Sequence, residues 1–232
     1  SDLFRSLQYL PGILTSSQIS SGLYVRGGSP DQNLVLLDNM TVYNPSHLFG
    51  FISTFNTDAI KDVELVKGGF PAEFGGRISS VLNITQNEGN RQKIGGNAGV
   101  GLISSKALLE GPLFNGSWFI GARRTYIDIL KNFIPEDPTL PLPNFWFYDI
   151  NAKITQEFGS NNKAYLSGFQ SKDLLEYKGF GIDFHISIMN QAIATRWIHI
   201  LADNIFTSTG LSYNYYRNEF IGDASGYIFK IQ

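Results

Sequence analysis

The sequence predicts two regions of different class: a small mixed α/β globule over residues 1–90, then antiparallel transmembrane β-barrel strands over 91–232. Three observations carry this. The first ninety residues alternate short apolar runs with glycine-heavy turns such as GGF and FGGR. From residue 91 the apolar residues recur with period two, over segments longer than the roughly five or six residues of a soluble strand. No stretch approaches the roughly 20 apolar residues of a membrane helix, and a membrane barrel has no such signal to show.

In SDLFRSLQYLPG, Leu3, Leu7 and Leu10 share one helical face, and Pro11-Gly12 stops the helix. Strand-like runs follow in GLYVRG, NLVLLDN, DVELVKGG and SSVLNIT. Before the third, TDAIKDVELV offers Thr57 as a helix cap in a segment short enough for one turn. The connector Gly27-Gly28-Ser29-Pro30-Asp31 invites comparison with a phosphate cradle. A phosphate loop needs its glycines to run into a helix and a Lys to reach the phosphates. Here no Gly-Lys-Ser/Thr ending exists, and NLVLLDN after it reads as a buried strand. Pro30 fixes φ, the glycines accept positive φ and Asp31 can cap, so the connector is a strand-to-strand turn.

In FWFYDINAKITQEF, Trp146, Tyr148, Ile150, Ala152, Ile154 and Phe158 form a mostly apolar face, and Asp149, Asn151, Lys153, Thr155 and Glu157 a polar one. IFTSTGLSYNYYRNEF repeats the idea, with Leu211, Tyr213 and Tyr215 opposite Ser208, Gly210, Ser212 and Asn214. Seven strands centre on 93–103, 105–113, 117–130, 145–158, 163–173, 190–201 and 204–220, and an eighth begins near 226. Tight turns at FNGS, GSNN and LADN alternate with longer connections near 131–144, 174–189 and 221–226. Such asymmetry marks an outer-membrane barrel, with short periplasmic turns and long extracellular loops. A large soluble antiparallel sheet is the alternative, since it also alternates. Strand length, aromatic content and turn asymmetry together favour the barrel. A complete eight-stranded barrel would fill its interior with its own side chains. The small inward residues Gly95, Gly99, Gly101, Ser208, Gly210 and Ser212 suit a wide lumen holding something else. The first ten residues show no signal-peptide pattern, and SGYIFKIQ begins a strand with nothing after it to pair. The expectation is a longer protein.

Composition narrows the chemistry. A net charge of −2 offers no bulk attraction for nucleic acid. Without cysteine there is no disulfide, thiolate metal site or cysteine nucleophile. His47, His185 and His199 have no zinc-like spacing, so neither metal nor cofactor is expected. His199, beside Trp197, reads as a strand-end residue at the membrane interface. Glu136 and Asp137 lie in IPEDPTLPLP, where a solvated loop outweighs acid–base work, and no catalytic triad can be nominated. Adjacent strand residues Arg123 and Arg124 must point to opposite faces, one into the lumen and one near the headgroups.

LYVRGGSPDQNLVLLDNMTVYNPSHLFGF, followed by DAIKDVELVKGGFPAEFGGRISSVLNI, closely resembles the plug of TonB-dependent outer-membrane receptors of the Bacteroidetes type. LQYLPGI resembles the plug's first helix and turn, and GGRISSVLNIT the closing strand that leads into the barrel. The resemblance implies a plug inside a barrel of twenty-two strands, of which residues 91–232 are the first seven to eight. It implies uptake of a scarce nutrient (siderophore, vitamin, oligosaccharide or peptide) with proton-gradient energy delivered by TonB, ExbB and ExbD. Outer-membrane lipid and the nutrient are the other implied partners. A surface lipoprotein is a further candidate, although the plug motif differs from the glycan importers that usually have one. The alternative is a non-transporting plugged barrel serving as a scaffold in a larger outer-membrane complex.

The same resemblance directs Arg26, in VRGG, toward barrel-wall carboxylates, and Lys67, in LVKGG, sits where relatives often carry a second basic residue. With Glu64 and Arg77 these form an expected plug–barrel latch, because a buried charge needs a partner. The alternative for Arg26 and Lys67 is a solvated turn. TVYNPSHLFGF is the candidate ligand-facing apex: Tyr43, Asn44, Ser46, His47 and Phe49 mix aromatic and hydrogen-bonding groups, as small-molecule pockets do. Its alternative is a loop packed against the barrel wall.

Overall fold

The computed structural model describes residues 2–14, 22–47, 50–133, 135, 141–224 and 227–231. In the globule, α1 (Leu3–Leu7) is followed by β1 (Ile13–Leu14), β2 (Tyr24–Val25), β3 (Asn33–Leu37), β4 (Met40–Thr41), β5 (Ser46–His47), β6 (Ile52–Ser53), β7 (Ile60–Val66) and β8 (Ser80–Gln86). The main sheet has the order β4-β3-β8-β7, with β3 and β8 parallel. Small two-stranded pairs β1-β2 and β5-β6 flank it.

Helix α1 starts where Asp2 accepts hydrogen bonds from the backbone N–H groups of Phe4 (3.1 Å) and Arg5 (3.3 Å). The other Asp2 oxygen accepts from Ser53 N (2.7 Å) and Ser53 Oγ (2.8 Å), tying the helix to β6. Leu3, Phe4 and Leu7 are buried, but the helix ends before Leu10, which is 40% exposed. The glycine-rich connector is the turn expected: a single 3-10 turn, Pro30–Gln32, delivers the chain into β3. The later turn, Thr57–Ala59, is capped by Asn56, whose side chain accepts from Asp58 N, rather than by Thr57. Asn56 precedes the turn with extended backbone, the position from which a side-chain oxygen reaches the free N–H groups.

The wall is one eight-stranded antiparallel sheet running in chain order. Its strands are β9 (Gly95–Val100), β10 (Ser104–Leu113), β11 (Gly116–Thr125), β12 (Asn144–Phe158), β13 (Asn162–Gly179), β14 (Ile182–Ala202), β15 (Ile205–Ala224) and β16 (Tyr227–Ile231). In β12 the polar alternate residues Asp149, Asn151, Lys153 and Thr155 are buried, while Ile150 and Ile154 are exposed. This inversion of the soluble pattern faces apolar side chains outward and polar ones onto the globule, as a lipid-facing wall requires. One apolar core crosses the join: Val35, Leu37, Phe55, Leu82 and Ile84 cluster with Phe169, Ala192 and Ala194 of β13 and β14.

Three expected features differ, the first being the longer connection near 221–226, where 221–224 are strand of β15 paired with β16. Residues 126–130 are not strand, since α2 (Ile127–Lys131) begins directly after β11. The 174–189 connection is instead paired strand to its tip, closed by Phe180 and Gly181 at φ 52° and 72°. That two-residue turn matches the twist of a hairpin. Apolar residues occur on both faces there, Leu174 on the outward face and Leu175, Phe184 and Ile186 on the inward one, which blurs the alternation. Tight turns at 114–115, 159–161 and 203–204 share the end where the globule joins β9. At the opposite end 126–143 is long, 101–103 and 180–181 are short, and residues 136–140, with Glu136 and Asp137, lie outside the described residues.

Gly89, in the join between globule and wall, has φ 87°, and a Cβ there would stand 2.3 Å from the Trp118 carbonyl oxygen. Gly159, at φ 67°, has nothing within 4 Å of a Cβ. Gly89→Ala therefore combines backbone strain with a clash against a strand backbone and should cost roughly 1–3 kcal/mol. Gly159→Ala carries the backbone strain alone, about 1 kcal/mol. Denaturation of the full-length protein checks the ranking, and equal losses would contradict it.

The polar seam between globule and wall

The seam is built from turns. Asp38 and Asn39, at φ 48° and 67°, form the two-residue turn joining β3 to β4. This turn carries the Asp38 carboxylate to the wall. There it accepts from Lys153 Nζ (3.0 Å), Ser167 Oγ (2.8 Å), Gln86 N (3.1 Å) and Gln86 Nε2 (3.0 Å). Lys153 also donates to the Gln86 carbonyl (3.2 Å), and Asn151 Nδ2 to Gln86 Oε1 (3.0 Å). The Lys153 side chain is only 5% exposed, so its ammonium has exchanged water for these partners.

Toward the end with the long connection, His47 is fully buried. Its Nδ1 lies 2.8 Å from Asp173 Oδ2, its Nε2 contacts Asp149 Oδ1, and its ring stacks on Phe147 with centroids 3.9 Å apart. Arg123 Nε donates to the second Asp149 oxygen (2.6 Å) and its Nη2 to the Ser53 carbonyl (2.6 Å). A neutral imidazole has one N–H, yet both ring nitrogens face carboxylates. Burial alone would push the His47 pKa down. The two aspartates outweigh it and raise the pKa to about 9. His47 and Arg123 as cations then balance Asp149 and Asp173.

A third group closes the opposite end. Glu88 meets Lys163 (2.7 Å), Lys61 (3.3 Å) and Arg91 (3.4 Å). Partial burial would raise the Glu88 pKa, but Lys163 and Lys61 hold it below the usual carboxylate range. Lys106 pairs with Asp58 at 2.7 Å.

Residues 1–81 match the TonB-dependent Receptor Plug Domain family. The globule is similar to a TonB-dependent receptor plug. No curated protein matches the chain. Among solved structures, a mutant ferric enterobactin receptor of Pseudomonas aeruginosa is similar at 14% identity and TM-score 0.54, over 96% of this chain and 46% of that one. The ferric preacinetobactin receptor of Acinetobacter baumannii is similar at 12% identity and TM-score 0.51, over 91% of this chain and 44% of that one. The chain thus spans under half the length of these structures. The shared fold likens the eight strands to part of the barrel wall of these receptors.

The plug presents its expected site residues unevenly. Tyr43 is 51% exposed, with its ring 5.8 Å from wall Tyr216. Asn44 is bonded to wall Asn190 through its N–H (3.4 Å) and carbonyl (3.1 Å), and Ser46 lies beside Asn44. His47 is not displayed at all: it is the buried cation of the seam. Phe49 lies outside the described residues. Among the described residues, no hydrogen bond or ion pair joins Arg26, Glu64, Lys67 or Arg77 to the eight strands. Arg26 and Glu64 are exposed, Lys67 donates to the Pro11 carbonyl (2.5 Å), and Arg77 donates to Gly76 O (2.9 Å). Arg123 and Arg124 point to opposite faces as expected, Arg124 pairing with Asp128 at 2.7 Å on the outer side.

Sequence reasoning missed Asp38, Lys153, Asp149 and Asp173. A signal for Asp38 existed, because Asp-Asn between two apolar runs is a tight-turn pair. The wall partners lie 102 and 126 residues from His47, and only folding reveals them.

The His47 pKa is raised in the docked state from 6.5 to about 9. Its contribution is complete below 6.5 and is lost as pH rises through about 9. It is on the order of 3 kcal/mol. The denaturant midpoint for plug release in the full-length protein should therefore fall across that window, and His47→Gln should flatten the fall. A midpoint independent of pH in the unsubstituted protein would contradict this.

Proposed function

We propose that the complete protein imports a scarce nutrient across the outer membrane, drawing energy from the inner-membrane proton gradient through TonB, ExbB and ExbD. The observation that carries this reading is the polar seam. Asp38 meets Lys153, and His47 meets Asp149 and Asp173, only while the plug is docked. Water can replace such partners when the plug is pulled, whereas a wholly apolar join would expose surface at continuous cost. A plug held this way can leave and return.

Tyr43 and Tyr216 stand on the outer side of the seam, where amphipathic aromatic rings suit a small ligand. The named relatives receive ferric siderophores, which makes that class the first of the four to test. Arg26, Glu64, Lys67 and Arg77 remain candidate latch residues toward wall strands other than these eight. The plug motifs resemble the Bacteroidetes type, which is the source to test first, and a surface lipoprotein remains a candidate partner.

In cells carrying the full-length protein, uptake of radioiron as ferric enterobactin should be saturable and abolished by a proton uncoupler. Tyr43→Ala should weaken its half-saturation about tenfold, equivalent to roughly 1.4 kcal/mol. Uptake insensitive to the uncoupler, or none with any of the four nutrient classes, would replace import with the scaffold role.

A further inference from the structure

The seam between globule and wall holds a cavity of about 170 Å³, lined in part by Asp38, Lys153, Tyr165, Ser167 and Arg196. Liquid water takes about 30 Å³ per molecule, so a few waters fit there. Register fixes how its wall side is laid out. Lys153, Ser167 and Ala194 form one inward row across β12, β13 and β14, and Asp38 is bonded to the first two of them. Thr155, Tyr165 and Arg196 form the next inward row, two residues along each strand and about 7 Å nearer the short turns.

The cations around this cavity are not alike. Lys153 has Asp38 at 3.0 Å, and Lys61 has Glu88 at 3.3 Å. Arg196 has no carboxylate at ion-pair distance among the described residues, and its Nε donates to Ser208 Oγ at 3.0 Å. That bond leaves the terminal amino groups of the guanidinium fork for another acceptor. Asp38 is the acceptor that can move. Its turn, with φ of 48° and 67° at Asp38 and Asn39, and its bonds to Gln86 N and Nε2 belong to the plug and travel with it. Its bonds to Lys153 and Ser167 do not. Breaking a shielded ion pair is costly because a charge is left uncompensated. A second cation one row on, across a cavity that admits water, removes that interval.

We infer that Arg196 is a receiving cation for the departing plug. Drawn toward the short-turn end, the plug transfers Asp38 from Lys153 to Arg196, and release passes through an intermediate held by the second pair. The inference rests on the reading that the plug is pulled toward the periplasm, and it holds for any nutrient.

The test pulls the plug of the full-length protein, in a lipid bilayer, from its N-terminal side at constant force and records the time to release. The denaturant midpoint for plug release without force is measured alongside. Arg196→Gln should lengthen the time about tenfold and leave the midpoint unchanged, since Arg196 lowers the barrier and does not hold the docked state. Arg196→Lys keeps the charge and should release nearly as the unsubstituted protein does. Gly210→Asp is an independent variant. Gly210 is the register partner of Arg196 on β15, and a Cβ there meets only the Thr195 carbonyl oxygen, at 3.5 Å. Its carboxylate would occupy Arg196 and should also slow release, so a folding defect in Arg196→Gln does not remove the test. In an Asp38→Asn background neither substitution should alter the time. Three results would overturn the inference: an unchanged time in folded variants, the same slowing with Asp38→Asn, or faster release with a lower midpoint, the mark of a static tie. The measurement needs neither nutrient nor TonB, so its failure is separate from a failure of import, which the uncoupler assay reads.

Discussion

Everything about how this plug sits depends on charge compensation across its join with the wall. Asp38 brings a carboxylate to a lysine that is almost entirely shielded from water, and His47 enters between Asp173 and Asp149, the second of which also pairs with Arg123. None of these charges would be stable in that environment alone. Docking is therefore a joint property of plug turns and wall strands, and the apolar contact through Phe55 and Phe169 supplies attraction without specifying position. The polar pairs specify it, since each cation has one geometry in which its carboxylates can receive it.

The two faces of the wall follow from the same period of two. Inward residues of β12 and β13 serve the plug through Asp149, Lys153, Ser167 and Asp173, and outward residues one step along serve lipid through Ile150, Ile154 and Leu166. A slip of one residue would exchange these faces and place Lys153 in hydrocarbon. The register that seals the wall to the membrane is thus the register that presents the seam. Arg123 and Arg124 show this in miniature, one inside on Asp149 and the next outside beside Trp146.

Much of this fold was legible in the sequence because its determinants are local. The alternation of FWFYDINAKITQEF gave β12 and its faces, and Pro30 after two glycines gave the turn into β3. Legibility failed where two environments overlap. Around 174–189 both faces carry apolar residues, so paired strand resembled a connection. The site was less legible than the fold. His47 stood out as a polar residue in an aromatic loop, but its partners are more than a hundred residues away and look like ordinary inward polar positions. Arg26 stands in a local motif, whereas Asp38 reads in sequence as the end of an apolar strand and only the fold makes it a turn aimed at the wall.

The most direct measurement is a double-substitution cycle on Asp38 and Lys153, read by hydrogen exchange of the β4 and β8 amides in the full-length protein. The single variants Asp38→Asn and Lys153→Met each leave a charge with reduced compensation, so each should speed exchange by at least tenfold. The double variant removes both charges and should exchange more slowly than the faster single variant, with clear non-additivity. Strictly additive effects, or single variants that exchange like the unsubstituted protein, would show that the plug is held by apolar contact alone.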